Sequence, residues 1–319
     1  MLIFASALAA IVPMFTYLLI IWKLDRYDKE PFKLVLQNYF WGAFGAIIFS
    51  IIGSVFLSYI FSLFTTNQIE IERFSTVIAA PVVEEFMKGV FLLMIVSYRK
   101  FDNLTDGIVY GGAIGLGFGM TENFLYFISF GETLSGWIAI VIIRTLFSAV
   151  MHCVSTGTFG AFLGIAKYKP TNSKIFFALA GYFVAVLIHF TWNLTVSFQS
   201  TAPAGFILMG ITIILFIIIF LTTIAGEKKI IFKELKAETE LGTIPLNHLA
   251  ILSSPQRNHN GWIDEKIRKT YISAATTLAF RKMQLEKSTG ESRKSYLTEV
   301  NIYRQFIKEI LKAKSDLNE

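Results

Sequence analysis

Four apolar runs of this sequence carry side chains able to do chemistry. PVVEEFMKG holds Glu84, Glu85 and Lys88, and GGAIGLGFGMTENFLYF holds Glu122 and Asn123. A third run holds Arg144 and His152, and HFTWN holds His189 and Asn193. Carboxylates accept protons, imidazoles carry protons or ligate metals, and amides donate to developing oxyanions. Together these are the parts of a site that activates water. Spacing gathers them within each run. Lys88 stands four residues after Glu84 and three after Glu85, so both acids reach it on one helix face. Adjacent carboxylates resist carrying two charges at once, which suits a proton carrier. His189 and Asn193 lie one turn apart, and Arg144, Ser148, His152 and Thr156 recur every four residues. The plainer alternatives are a buried ion pair that fixes helix packing and two hydrogen-bonded core histidines. Packing alone rarely needs two acids and a base at mid-depth, with two histidines and a third glutamate beside them.

These residues sit in a chain built for lipid. Of 319 residues, 54% are hydrophobic and 16% charged, against the roughly 25% charged of a soluble domain. About 20 mostly apolar residues cross a bilayer, and seven stretches qualify, at 2–22, 36–63, 74–97, 107–130, 136–165, 174–198 and 204–225. The three charges at 84–88 oppose insertion of the third by roughly 8 to 10 kcal/mol, more than its apolar residues return. That helix therefore needs neighbours that neutralise it, and its charges should face a bundle interior or a water-filled cavity. Counting 1.5 Å per residue puts Glu84, Glu122, His152 and His189 within a few ångströms of the midplane. Gly111, Gly115 and Gly119 form a smooth face for close approach to another helix.

Loop charge gives orientation. Lys23, Arg26, Lys29 and Lys33, then Arg99 and Lys100, then Lys167, Lys169 and Lys174, then Lys228, Lys229, Lys233 and Lys236 follow alternate spans. The opposite loops hold only Arg73. The expected topology has the N-terminus outside and the C-terminus in the cytoplasm. The first apolar run lacks a basic n-region and a cleavage site, and is expected to remain as an anchor. The net charge of +6 is spread over loops and the C-terminal hundred residues, so it marks no nucleic-acid-binding face. The single cysteine, Cys153, excludes an intrachain disulfide. The expected fold class is an all-α polytopic membrane protein, about seven transmembrane helices with a C-terminal cytoplasmic helical hairpin. The bundle occupies 1–225, an irregular linker 226–261, and the hairpin 262–319, with its break at Lys287 to Glu291.

The motifs resemble the PrsW-type intramembrane proteases, a group related to the CAAX-prenyl and bacteriocin-processing proteases. The resemblance rests on DRYDKEP after the first span, P-x-x-E-E-x-x-K at 81–88, DGIVYG at 106–111 leading to F-G-x-x-E-N at 118–123, His152, and H-x-x-W-N at 189–193. It implies hydrolysis of peptide bonds in or beside a bacterial cytoplasmic membrane, with single-span proteins such as anti-sigma factors as substrates. By motif position it marks Glu84, Glu85, Glu122, His152 and His189 as the catalytic set. We expect Glu84 or Glu85 to be the base, Lys88 to tune the pair, His189 and Asn193 to stabilise an oxyanion, and His152 and Glu122 to position groups or shuttle protons, with Asn123 in the same catalytic set. No H-E-x-x-H is present. A metal-free site is therefore preferred, with zinc on His152, His189 and Glu122 as the rival. Two other classes would use a similar chain, a proton-coupled transporter and a non-catalytic scaffold like Aph-1. The first should show inverted repeats and the second a degraded acidic pair, and neither is seen.

Overall fold

The computed structural model describes residues 2–130 and 133–315, and among these it is helical throughout, without a strand. Five helical stretches are long and apolar enough to cross a membrane: Leu2–Leu24, Phe32–Ser62, Leu134–Ala166, Thr171–Val196 and Ala202–Glu240. Large apolar side chains such as Ile52, Phe56, Phe183, Leu187 and Ile214 stand exposed on their outer faces, a surface that lipid would cover.

The chain divides into two compact units, Met1–Asp25 with Lys29–Phe220, and Arg26–Asp28 with Leu221–Glu319. In the first, α1 is Leu2–Leu24, and α2 (Phe32–Phe40) continues through a π-helical segment, Trp41–Ala46, into α3 (Ile47–Ser62). The helix 68–95 is built the same way, from α4 (Gln68–Phe74), a π segment Ser75–Ala79 and α5 (Ala80–Ile95). Next come α6 (Leu104–Ser129), then α7 (Leu134–Ile143), joined by a third π segment, Arg144–Ser148, to α8 (Ala149–Ala166). The unit closes with α9 (Thr171–Val196) and the start of α10 (Ala202–Glu240).

Two of the seven expected spans, 74–97 and 107–130, are not among the five apolar helices. The first carries Glu84, Glu85 and Lys88, and glycines with Glu122 and Asn123 dilute the apolar character of the second. The first nevertheless exposes Val82, Phe86, Leu93 and Met94, while the second is enclosed over most of its length. Every residue of α6 from Thr105 to Gly119 is buried, so its surroundings are protein. Its glycines permit this. A Cβ on Gly111 would lie 2.4 Å from the Thr156 carbonyl oxygen, and one on Gly115 only 2.1 Å from that of His152. Backbone thus packs on backbone along α6 and α8, as the glycine spacing predicts.

A π turn loosens the helical ladder and frees carbonyls that neighbours must satisfy. Thr121 of α6 donates to the Ala43 carbonyl at 2.7 Å, and Asn193 of α9 to the Thr76 carbonyl at 2.9 Å. Trp41 Nε1, from the first π segment, donates to the Met87 carbonyl of α5 at 3.2 Å.

In the second unit, the stretch expected as an irregular linker is largely ordered. The helix α10 runs on to Glu240, followed by α11 (Leu246–Leu252) and a 3-10 turn at Pro255–Asn258. Charge pairing explains the continuation. The fully buried Glu238 accepts from Arg304 at 2.7 and 2.9 Å and pairs with Lys282 at 2.9 Å. The remaining helices are α12 (Glu265–Lys287) and α13 (Gly290–Ser315), with Gly290 at φ +60° beside the break. Arg281 of α12 pairs with Glu299 of α13 at 2.7 Å. Also within this unit, Arg257 donates to the Arg26 and Tyr27 carbonyls at 2.6 and 2.9 Å.

Candidate active site

The chemistry-bearing residues of α5, α6, α8 and α9 converge. Lys88 of α5 is wholly buried. Its ammonium lies 2.8 Å from Glu85 Oε1, 2.9 Å from His152 Nδ1 and 3.5 Å from Glu84 Oε2. The Phe118 ring sits beneath it at 4.0 Å. The two imidazoles meet edge to face with centroids 4.8 Å apart.

The adjacent acids differ in what surrounds them. Glu85 is fully buried and saturated: Oε1 accepts from Lys88, from Ser155 at 3.0 Å and from His189 Nδ1 at 3.0 Å, while Oε2 accepts from Thr156 at 2.9 Å. With four donors on it and no exposed surface, this carboxylate offers no accessible oxygen to a substrate. Glu84 retains 12% side-chain exposure, but its Oε2 is itself buried and accepts no hydrogen bond; Lys88 Nζ lies 3.5 Å from it and His189 Nε2 3.9 Å. Glu84 presents an open oxygen, and Glu85 holds the groups around it.

The same contacts set the histidine tautomers. Glu85 can only accept, so His189 donates Nδ1–H to it and turns an Nε2 lone pair toward Glu84. His152 Nε2 lies 2.7 Å from Glu122 Oε2, which fixes its proton there and leaves the Nδ1 lone pair facing Lys88. Each imidazole thus has a carboxylate behind it and a lone pair in front, the arrangement that orients metal-ligating histidines. Ligand atoms of Glu84, His152 and His189 lie within 4.8 Å of one another. With the open Glu84 oxygen, this donor set suits zinc. The carboxylate grouped with the two imidazoles is Glu84, while Glu122, named in the rival zinc set, contacts His152 from its other side.

Glu122 is engaged elsewhere. It pairs with Arg144 Nη2 at 2.7 Å, while Arg144 Nε donates to Asn123 Oδ1 at 3.1 Å and the guanidinium lies 3.6 Å from the Tyr126 ring centroid. Asn193 does not join the cluster, because its amide nitrogen is spent on the Thr76 carbonyl. One of its two amide N–H groups is thereby committed to the π segment at Ser75–Ala79. Ser155 and Thr156 were not among the expected site residues, although Thr156 falls on the Arg144–His152 stripe. Hydroxyls in an apolar helix give no signal until a buried acid is known to face them.

The family model described as PrsW family intramembrane metalloprotease matches residues 30–223, a stretch that includes all eight expected site residues. The chain is 29% identical over 192 residues to "Protease PrsW" of Bacillus subtilis, covering 60% of this chain and 82% of the relative. To "Protease PrsW" of Oceanobacillus iheyensis it is 33% identical over 177 residues, 54% of this chain and 75% of the relative. No solved structure matches.

Proposed function

Because the chain belongs to the PrsW family of intramembrane metalloproteases, we propose that it hydrolyses peptide bonds of membrane-anchored proteins at the cluster of Glu84, His152 and His189. The observation that carries this assignment is the asymmetry of the acids. Glu85 accepts from four donors, while Glu84 Oε2 accepts from none and lies 3.9 Å from His189 Nε2. In this reading Glu84 accepts the proton of the attacking water and returns it to the leaving amine. His189 Nε2, 3.9 Å from Glu84, turns its lone pair toward the same carboxylate. Lys88 offsets the charge of the two acids, and Glu85 and Glu122 hold the imidazoles in their tautomers. Were zinc held by Glu84, His152 and His189, Glu84 would serve as a ligand in place of the base, and the ion would supply a polarised scissile carbonyl and a more acidic water.

The helices 68–95 and α6 are read as crossing the bilayer with the five apolar ones, making seven spans with the C-terminus in the cytoplasm. Single-span proteins such as anti-sigma factors are the proposed substrates, as the family resemblance implies.

The test is cleavage of a single-span substrate in proteoliposomes. Glu84→Gln keeps the shape of the side chain and loses its basicity, so cleavage should fall to background while the protein stays folded. Full cleavage by this variant would remove the assignment.

A further inference from the structure

Two of the three residues that could hold a metal ion are already in contact with a cation. Lys88 Nζ touches His152 Nδ1 at 2.9 Å and lies 3.5 Å from Glu84 Oε2, so it rests against two of the three residues of the cluster. A lone pair that accepts a proton from an ammonium cannot also bind a metal. The ammonium is fully buried, in contact with Glu85 and over the Phe118 ring, so it is a built part of the site. Two cations a few ångströms apart in a water-poor interior repel strongly.

We propose that the Lys88 ammonium and a divalent metal ion are alternative occupants of one cation position. With lysine in place, the cluster is held together without metal. A metal enters only as the Lys88 amine leaves His152 and Glu84, keeping Glu85 as its remaining partner. Lys88 is in this sense a positioning residue that sets how tightly the site takes metal. The inference rests on the assignment of Glu84, His152 and His189 as the working site.

The experiment is zinc binding to the full-length chain in detergent, by competition with a chromophoric chelator, beside metal content of the same preparations. Lys88→Met removes the competing charge and should tighten zinc binding by at least about tenfold. Lys88→Gln is the second variant, because its amide still donates to Glu85 and supports folding should the Met variant collapse. Lys88→Arg keeps a cation and should bind zinc no better than the unaltered chain. A structural lesion weakens binding, so a gain of affinity is diagnostic. Zinc affinities of Lys88→Gln and Lys88→Met within about twofold of the parent, or weaker, would overturn the proposal. The outcome is separable from the functional assignment. If Glu84→Gln abolishes cleavage while zinc affinity ignores Lys88, the protease stands and the shared cation position falls.

Discussion

Arg144 and Glu122 form an ion pair at 2.7 Å from two different helices, and Glu122 passes that constraint to His152 at 2.7 Å through the same oxygen. The guanidinium does more than neutralise. It also donates to Asn123 and stacks on Tyr126, contacts that need a planar fork. Arg144→Lys keeps the charge and loses the fork. Cleavage should fall roughly 10- to 100-fold, as for other groups that orient a ligand from behind, with thermal stability near that of the parent. Unchanged turnover would mean that His152 needs no such support.

Glu85 should behave unlike its neighbour. Glu85→Gln keeps the shape but leaves the Lys88 ammonium beside a neutral group and replaces an acceptor with a donor facing Ser155 or Thr156. Breaking a buried pair typically costs about 3–5 kcal/mol, so this variant should lose much of its thermal stability in detergent. Glu84→Gln should not. Equal stabilities for the two variants would erase the distinction between an open and a saturated acid.

Gly115 fixes where His152 stands. A Cβ there would approach the His152 carbonyl oxygen to 2.1 Å, so Gly115→Ala must push α6 and α8 apart. Overpacking of this kind costs about 1–3 kcal/mol, and the displaced imidazole should reduce cleavage further. Thermal unfolding and turnover measured together check both. A silent Gly115→Ala would show that the two helices already have room.

Topology is open to direct measurement. A reporter fused after Lys229 should read cytoplasmic, and one placed beside Asn67 should read external, as the basic loops require. The reverse pattern would contradict the proposed orientation and the depth at which the acids are placed.

Much of the site was legible because charge inside an apolar run is conspicuous. Glu84, Glu85, Lys88, Glu122, His152 and His189 were each visible in that way, and the structure brings all six together. What spacing could not separate were neighbours on one helix. Glu84 and Glu85 read alike until Ser155, Thr156 and His189 are seen to saturate one of them. Asn193 looked like a partner of His189 because four residues make one turn, yet it serves the carbonyl that a π segment frees. Those segments are themselves silent in the sequence, since one residue of extra winding does not disturb an apolar pattern. The polar stretch after Gly226 reads as linker in the sequence because its helix is held by pairs such as Glu238 with Arg304, whose partners lie far along the chain.

The π segment at Arg144–Ser148 also sets a phase. At about 100° per residue, an unbroken α-helix would leave Arg144 and His152, eight residues apart, roughly 80° out of line. One residue of π winding turns the helix back by about 100°, leaving the two within roughly 20°. Both then face the single oxygen of Glu122 that they share. A shortening of one residue inside 144–148 would leave every side chain of the site in the protein and each helix intact. Its effect would be rotational: the guanidinium would swing away from the imidazole, and Glu122 could serve only one of them. The working register of this helix is held by the presence of one residue that no functional group occupies.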